Sequence, residues 1–361
     1  MKKVCCIGVV GCPNIIGDYQ ISTFNIQKYF SRKSKMNIND LIFKGLNGYK
    51  VLSLLKTAEG VDRLYREKNM EYMECINDFI KNYSNFDIII MFNNNFIHPE
   101  ILNQYFNNTV KILGIVDSPV SCYVRDIPYL WAFDGVVYIS PGYDENYSMK
   151  EALNNWGSYN NYWLPLSTPF DKIAWKDIEN EQKDIDVIYI GKSYGHKIER
   201  LRRVKEYFKE RFSVYGRWPL KGYMGFFRFL VGKPNFPYLV KSISDDQRCD
   251  LYKKTKIGIN MHFSDSRSET GNMRMYEVCA HGVMLLCDKS GKNTHEDIFK
   301  DGVEAVYYDD ISDALEKAEY YLLHDEERRR IAKAGYEKFW KEYEFYRNFE
   351  DFLNWSNDIK K

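Results

Sequence analysis

Short apolar runs punctuate the chain at regular intervals. They fall at residues 4–10, 87–92, 110–116, 135–139, 162–166, 186–191, 212–216, 256–261, 283–287 and 302–308. Runs this short suit strands buried on both faces of a parallel sheet better than helices. Helical periodicity fills the gaps. Val61, Leu64, Tyr65, Met73, Ile76, Phe79 and Ile80 share a spacing that predicts a helix over 59–83. Pro99 opens another, through Phe106, and a helix to about Phe30 is expected directly after the first strand. Strand–helix alternation of this kind predicts parallel α/β architecture. Residues 167–183 are polar, contain Pro169 and lack an apolar period, so they read as a linker. Together with a length of 361 residues this predicts two α/β domains, 1–168 and 169–335, followed by a C-terminal helical segment, 336–361.

The most informative stretch is 256–288. A strand, Lys256 to Met261, leads through a polar loop into a short helix over 272–280 and a second strand, Val283 to Cys287. Asn272 can cap the helix start, and Gly282 can take the left-handed conformation that ends it. The loop lies at the carboxyl end of a strand, where open α/β sheets bind ligands. Glu269 and Glu277 are separated by seven residues, and Arg274 and Glu277 share a helix face.

The Glu269–Glu277 spacing resembles the E-x7-E signature of retaining glycosyltransferases with the two-domain GT-B architecture. The run Gly271-Asn272-Met273-Arg274-Met275-Tyr276-Glu277, followed by Gly282, resembles more closely the spore-maturation-type glycosyltransferase family, a group 1-like set. The resemblance covers about 185–345 and implies two Rossmann-like domains facing each other across a cleft. The first would bind the acceptor and the second a nucleotide sugar, with the last helix returning to the first domain. Matched residues imply that Glu277 holds the ribose and Glu269 the hexose. Arg274, Lys192 after the strand ending at Gly191, and the helix amino end at Gly271 and Asn272 would hold the diphosphate. The chemistry is consistent: a carboxylate accepts two hydrogen bonds from a diol, and a cation with a helix amino end suits the leaving diphosphate. His262, directly after the signature strand, reads either as facing the donor, as the resemblance implies, or as a structural histidine. Asp117, in an Asp-Ser-Pro run after a strand, reads either as a cleft residue or as a turn cap. Glu269, His262 and Asp117 are the catalytic candidates. Lys192 reads equally as a solvated loop lysine.

Composition narrows the field. Net charge is +1, so no global field draws the chain to nucleic acid or membrane. The eight cysteines form no C-x-x-C pair, and no run approaches 18 apolar residues. A cytoplasmic setting is expected. Gly8, Gly11 and Gly17 do not form a dinucleotide fingerprint. Resemblance to the E-x7-E class implies retention at the anomeric carbon, no obligatory metal and no cofactor beyond the nucleotide-sugar co-substrate; Asp184-Ile185-Asp186, which leads into a strand instead of following one, reads as a chance D-x-D. The basic stretch 197–211 interleaves Glu199, Glu206 and Glu210 as a salt-bridged face. Residues 217–241 mix aromatic and basic side chains and read as an acceptor-side segment. The acceptor itself, whether protein, glycan or modified nucleic acid, stays open. So do two rival functions, a sugar-nucleotide epimerase and a non-catalytic nucleic-acid- or glycan-binding module.

Overall fold

The computed structural model describes residues 1–8, 13–33, 51–92, 97–116, 122, 125–142, 147–192, 196–216, 242–262, 271–289 and 298–359. Asp117, Glu269 and the segment 217–241 lie outside them. The chain divides into two compact units, residues 1–165 with 346–361, and residues 166–345.

Unit 1 contains β1 (Lys2–Ile7), β2 (Ile15–Ile16), β3 (Tyr19–Phe24), α1 (Ile26–Lys33), α2 (Ala58–Arg66), α3 (Met70–Tyr83), β4 (Ile88–Phe92), α4 (Pro99–Tyr105), β5 (Val110–Ile115), β6 (Gly135–Tyr138), α5 (Met149–Asn155) and β7 (Asn161–Trp163). Among the described residues the sheet order is β2-β3-β1-β4-β5-β6-β7, parallel except for the β2–β3 hairpin. Two expectations fail here. No helix follows β1 directly; the chain turns at Gly17 (φ +50°), and β3 alternates buried and exposed positions as it pairs with β1. The helix expected over 59–83 is two, because Lys68 adopts φ +49° and Asn69 caps a new start by accepting from Tyr72 N–H.

Unit 2 contains α6 (Trp175–Asn180), β8 (Ile185–Ile190), α7 (His196–Phe208), β9 (Phe212–Tyr215), α8 (Asp245–Lys253), β10 (Thr255–Asn260), α9 (Met273–Ala280), β11 (Met284–Asp288), β12 (Val306–Tyr308), α10 (Ile311–Leu323) and α11 (Asp325–Lys338). The stretch expected to be a featureless linker therefore carries α6, whose Trp175 and Ile178 pack close to Gly282. All pairings in this sheet are parallel, in the order β12-β11-β10-β8-β9. The order reverses between β8 and β10. In a doubly wound sheet that reversal opens the crevice at the carboxyl ends of the strands where ligands bind. A single-turn π-helix, Phe339–Tyr343, precedes the last helix, α12 (Phe345–Asp358). This helix packs on unit 1. Tyr19 Oη donates to Asn354 Oδ1 at 2.9 Å, and the Tyr162 ring lies 5.2 Å from that of Trp355.

Each sheet is buried by alternation. In unit 2, Val187, Tyr189, Ile257, Ile259 and Leu286 present one face to Leu201, Val204 and Phe208 of α7 and to Ile331 of α11. Among the described residues no helix is long and apolar enough to cross a membrane.

Candidate functional site

The helix that the capping residues foretell forms as expected. Gly271 takes φ +70°, Asn272 Oδ1 accepts from Arg274 N–H at 3.0 Å, and Gly282 takes φ +66° just past the end. Two contacts fix α9 against the sheet. Gly258 of β10 leaves no room for a Cβ, which would stand 2.8 Å from Val278. Trp340 Nε1 donates to the Ala280 carbonyl at 3.1 Å, satisfying a helix-end acceptor.

Arg274 and Glu277 then meet at the crevice between β8 and β10. Arg274 Nη1 donates to Glu277 Oε2 at 2.9 Å. Its Nη2 reaches the turn after β8, where a Cβ on Gly191 would lie 3.0 Å from it. The same turn is held by Tyr189, whose hydroxyl donates to the Lys192 carbonyl at 3.0 Å, and by Gly216 (φ +136°), packed directly on the Gly191 carbonyl. Gly191, Lys192, Asn272, Arg274 and Glu277 are thus gathered at one place, with Lys192 exposed.

Two site groups are buried. Glu277 is fully so. It lies among cations, because Arg248 from α8 places Nη1 3.5 Å from Oε1. Arg274 and Arg248 retain 21% and 18% side-chain exposure. Burial opposes the Arg274 charge, but Glu277 and the neighbouring tyrosines Tyr252 and Tyr189 hold its pKa above the ordinary value. Arg248 also pairs with the exposed Asp245 at 3.1 Å, so two arginines and two carboxylates meet here, with only Glu277 fully buried. Glu277 Oε1 and Arg248 Nε are both buried without a hydrogen-bond partner among the described residues. Arg248 was missed in the sequence because its pairing spans separate elements.

His262 is the second, 3% exposed. Its backbone N–H donates to Asp288 Oδ2 at 2.9 Å, and its Nδ1 lies 2.8 Å from Asp288 Oδ1. A carboxylate there selects the tautomer with the proton on Nδ1. Asp288 was also overlooked, although it closes β11 as His262 follows β10, and that position signals a crevice residue in both. Among the described residues, His262, Cys287 and Asp288 bring potential metal-ligand atoms within 4.8 Å of one another. The donor set fits a metal poorly. Burial pushes the Cys287 thiol pKa well up, Cys287 donates toward Asp288 and accepts from Asn260, and both Asp288 oxygens serve His262.

The fold and this crevice define a class, the GT-B fold of glycosyltransferases. A TarM variant from S. aureus, in complex with fondaparinux, α-GlcNAc-glycerol and UDP, superposes with TM-score 0.57 at 15% identity over 80% of this chain and 59% of that one. Anabaena HepE in complex with UDP and glucose gives 0.55 at 8% identity, over 98% and 99% of the two chains. An α-glucosyltransferase in complex with UDP-glucose and DNA containing an abasic site gives 0.52 at 14%, over 80% and 85%. The chain therefore spans about 59% of TarM's length. Residues 196–354, under half of the chain, match the model of a family described as glycosyl transferase-like. The match does not by itself confirm the spore-maturation subfamily that residues 271–277 suggested. No curated protein sequence matches significantly.

Proposed function

We propose that the protein is a glycosyltransferase that takes a sugar from a UDP-activated donor held in unit 2. One observation carries the reading: a buried carboxylate oxygen, Glu277 Oε1, that accepts no hydrogen bond among the described residues and lies beside two guanidiniums at the reversal point of a parallel sheet. An acceptor atom in that state calls for a donor, and a ribose diol supplies two. Arg274 holds the other oxygen and so orients the carboxylate. The diphosphate lies toward the α9 amino end, with Arg274, Arg248 and Lys192 neutralising the charge that grows as the sugar leaves. In the transfer the bond from the anomeric carbon to the diphosphate breaks. A bond to an acceptor hydroxyl forms, and the hydroxyl proton is released. The E-x7-E spacing supports retention at that carbon, with charge neutralised by side chains instead of a metal. Glu269 at the hexose, His262 held by Asp288, and Asp117 complete the proposed catalytic set. The acceptor is a glycan, protein or modified nucleic acid, in a cytoplasmic setting.

A thermal-shift panel of nucleotide sugars tests this. A ligand at a hundredfold its Kd stabilises by about 2.7 kcal/mol. For a unit of this size that is a rise of roughly 5–10 °C. UDP and at least one UDP-sugar should give it, and Arg274→Ala should abolish it. No shift with any member of the panel would overturn the assignment.

A further inference from the structure

Unit 1 contains a cavity of its own, about 590 Å³, bounded by the start of α2, the start of α4 and the 3-10 turn Ile127–Ala132. That volume lies within the roughly 300–1,000 Å³ of small-molecule sites. Its central group is Asp62, fixed from two sides. Arg66 Nε donates to both carboxylate oxygens, at 2.9 and 3.0 Å. His98 Nε2 lies 3.2 Å from Oδ1. The tautomer follows from the other ring nitrogen. Glu100 N–H donates to His98 Nδ1 at 3.2 Å, so the proton sits on Nε2 and points at Asp62. His98 is buried, with its ring stacked 4.0 Å from that of Tyr65. Asp62 nevertheless keeps 45% of its side chain exposed and has lone pairs to offer.

Two aromatic residues complete the cavity. Trp131 is 64% exposed and presents a flat apolar face. Tyr129 is 2% exposed, and its hydroxyl has no hydrogen-bond partner among the described residues. A buried hydroxyl in that state is costly unless a ligand answers it. Charge selects the ligand. Glu59, Asp62 and Glu100 face a single arginine already engaged with Asp62, so phosphates and other anions are repelled. What fits is an uncharged molecule with one apolar face and a rim of hydroxyl donors.

We propose that this cavity is a pyranose subsite, seating an uncharged sugar unit of the acceptor on Trp131 with its hydroxyls donating to Asp62. The acceptor role rests on the glycosyltransferase reading; the sugar binding does not.

The full chain is titrated with a panel of methyl pyranosides (gluco-, galacto-, manno- and N-acetylglucosaminides) by saturation-transfer NMR and intrinsic fluorescence. At least one should saturate. Trp131→Ala and Asp62→Asn should each weaken it about tenfold or more. UDP binding should be unchanged in both variants, which also verifies their folding. Inorganic sulfate should not compete. Failure of every pyranoside to bind, or binding indifferent to both substitutions, overturns the subsite. Trp131-dependent binding without sugar transfer from any donor keeps the subsite and removes the acceptor role. Transfer with no pyranoside binding here keeps the enzyme and removes the subsite.

Discussion

Glutamine at position 277 separates the roles given to that carboxylate. The substitution keeps shape and volume but removes the buried negative charge 2.9 Å from Arg274 and 3.5 Å from Arg248; Arg248 keeps the exposed Asp245 at 3.1 Å, so the loss falls mainly on Arg274. Leaving a buried charge without its partner costs about 3–5 kcal/mol. At roughly 2–4 °C per kcal/mol for a unit of this size, the melting temperature should fall by about 6–20 °C. Ligand affinity, measured below that temperature, reports the second role. Hydroxyl bonds to a charged acceptor are worth about 1.5–3 kcal/mol and neutral ones about 0.5–1.5. UDP should therefore bind Glu277→Gln some 5- to 30-fold more weakly. Calorimetric titration with UDP and 2′,3′-dideoxy-UDP closes a double-mutant cycle. Wild type should discriminate strongly between the two ligands, and the variant weakly. Equal binding of both by wild type, or the same ratio in both proteins, would refute ribose recognition by Glu277 and leave it only as the brace for the arginines.

Other consequences follow from the same crevice. Gly191→Ala puts a methyl 3.0 Å from Arg274 Nη2 and 2.9 Å from the Tyr189 hydroxyl, both mobile side-chain ends. Stability should change by less than about 1 kcal/mol while UDP affinity falls several-fold, read by denaturant unfolding and calorimetry. Gly216→Ala instead drives a methyl to 2.1 Å from the Gly191 carbonyl at φ +136° and should cost more than about 2 kcal/mol in the same unfolding assay. Asp288→Asn should lower kcat about 10- to 100-fold with little change in donor KM, since it loosens the orientation and tautomer of His262. His281 supplies a pH signature. Burial lowers its pKa from 6.5 to about 4, although its Nδ1 bonds the Glu277 carbonyl. Between those values the unfolded chain binds the extra proton, so this contribution is full above about pH 6.5 and lost as pH falls through 4. It amounts to about 3 kcal/mol at most. Between pH 4 and 6.5 the unfolding free energy of wild type should fall more steeply with falling pH than that of His281→Asn, by up to about 1.4 kcal/mol per pH unit and about 3 kcal/mol in all; parallel curves would contradict it.

What could be read from the amino acids and what could not divides along physical lines. Helix α9 was legible because its signals are local: Asn272 accepts from the first turn, Gly282 takes positive φ, and apolar strands flank both ends. The β2–β3 hairpin was not, since a polar-rich strand such as Tyr19–Phe24 owes its state to pairing with β1. The break between α2 and α3 rests on Lys68, a residue that seldom takes positive φ, so neither glycine nor proline announced it. In the linker, α6 has too few apolar positions to show a period; Trp175 and Ile178 are helical because they pack near Gly282. The site divides in the same way. Gly191, Arg274 and Glu277 lie on or beside elements with clear ends. Arg248 and the burial of Glu277 come from tertiary contact between α8 and α9, which no spacing along the chain encodes.

Amide hydrogen exchange with and without UDP tests the central claim most directly, because it locates the ligand without assuming what is transferred. Protection should appear at residues 190–192 and 271–277, on both sides of the β8–β10 crevice, and vanish in Arg274→Ala. Unchanged exchange in both segments at saturating UDP, or protection confined to unit 1, would contradict a nucleotide site built on α9.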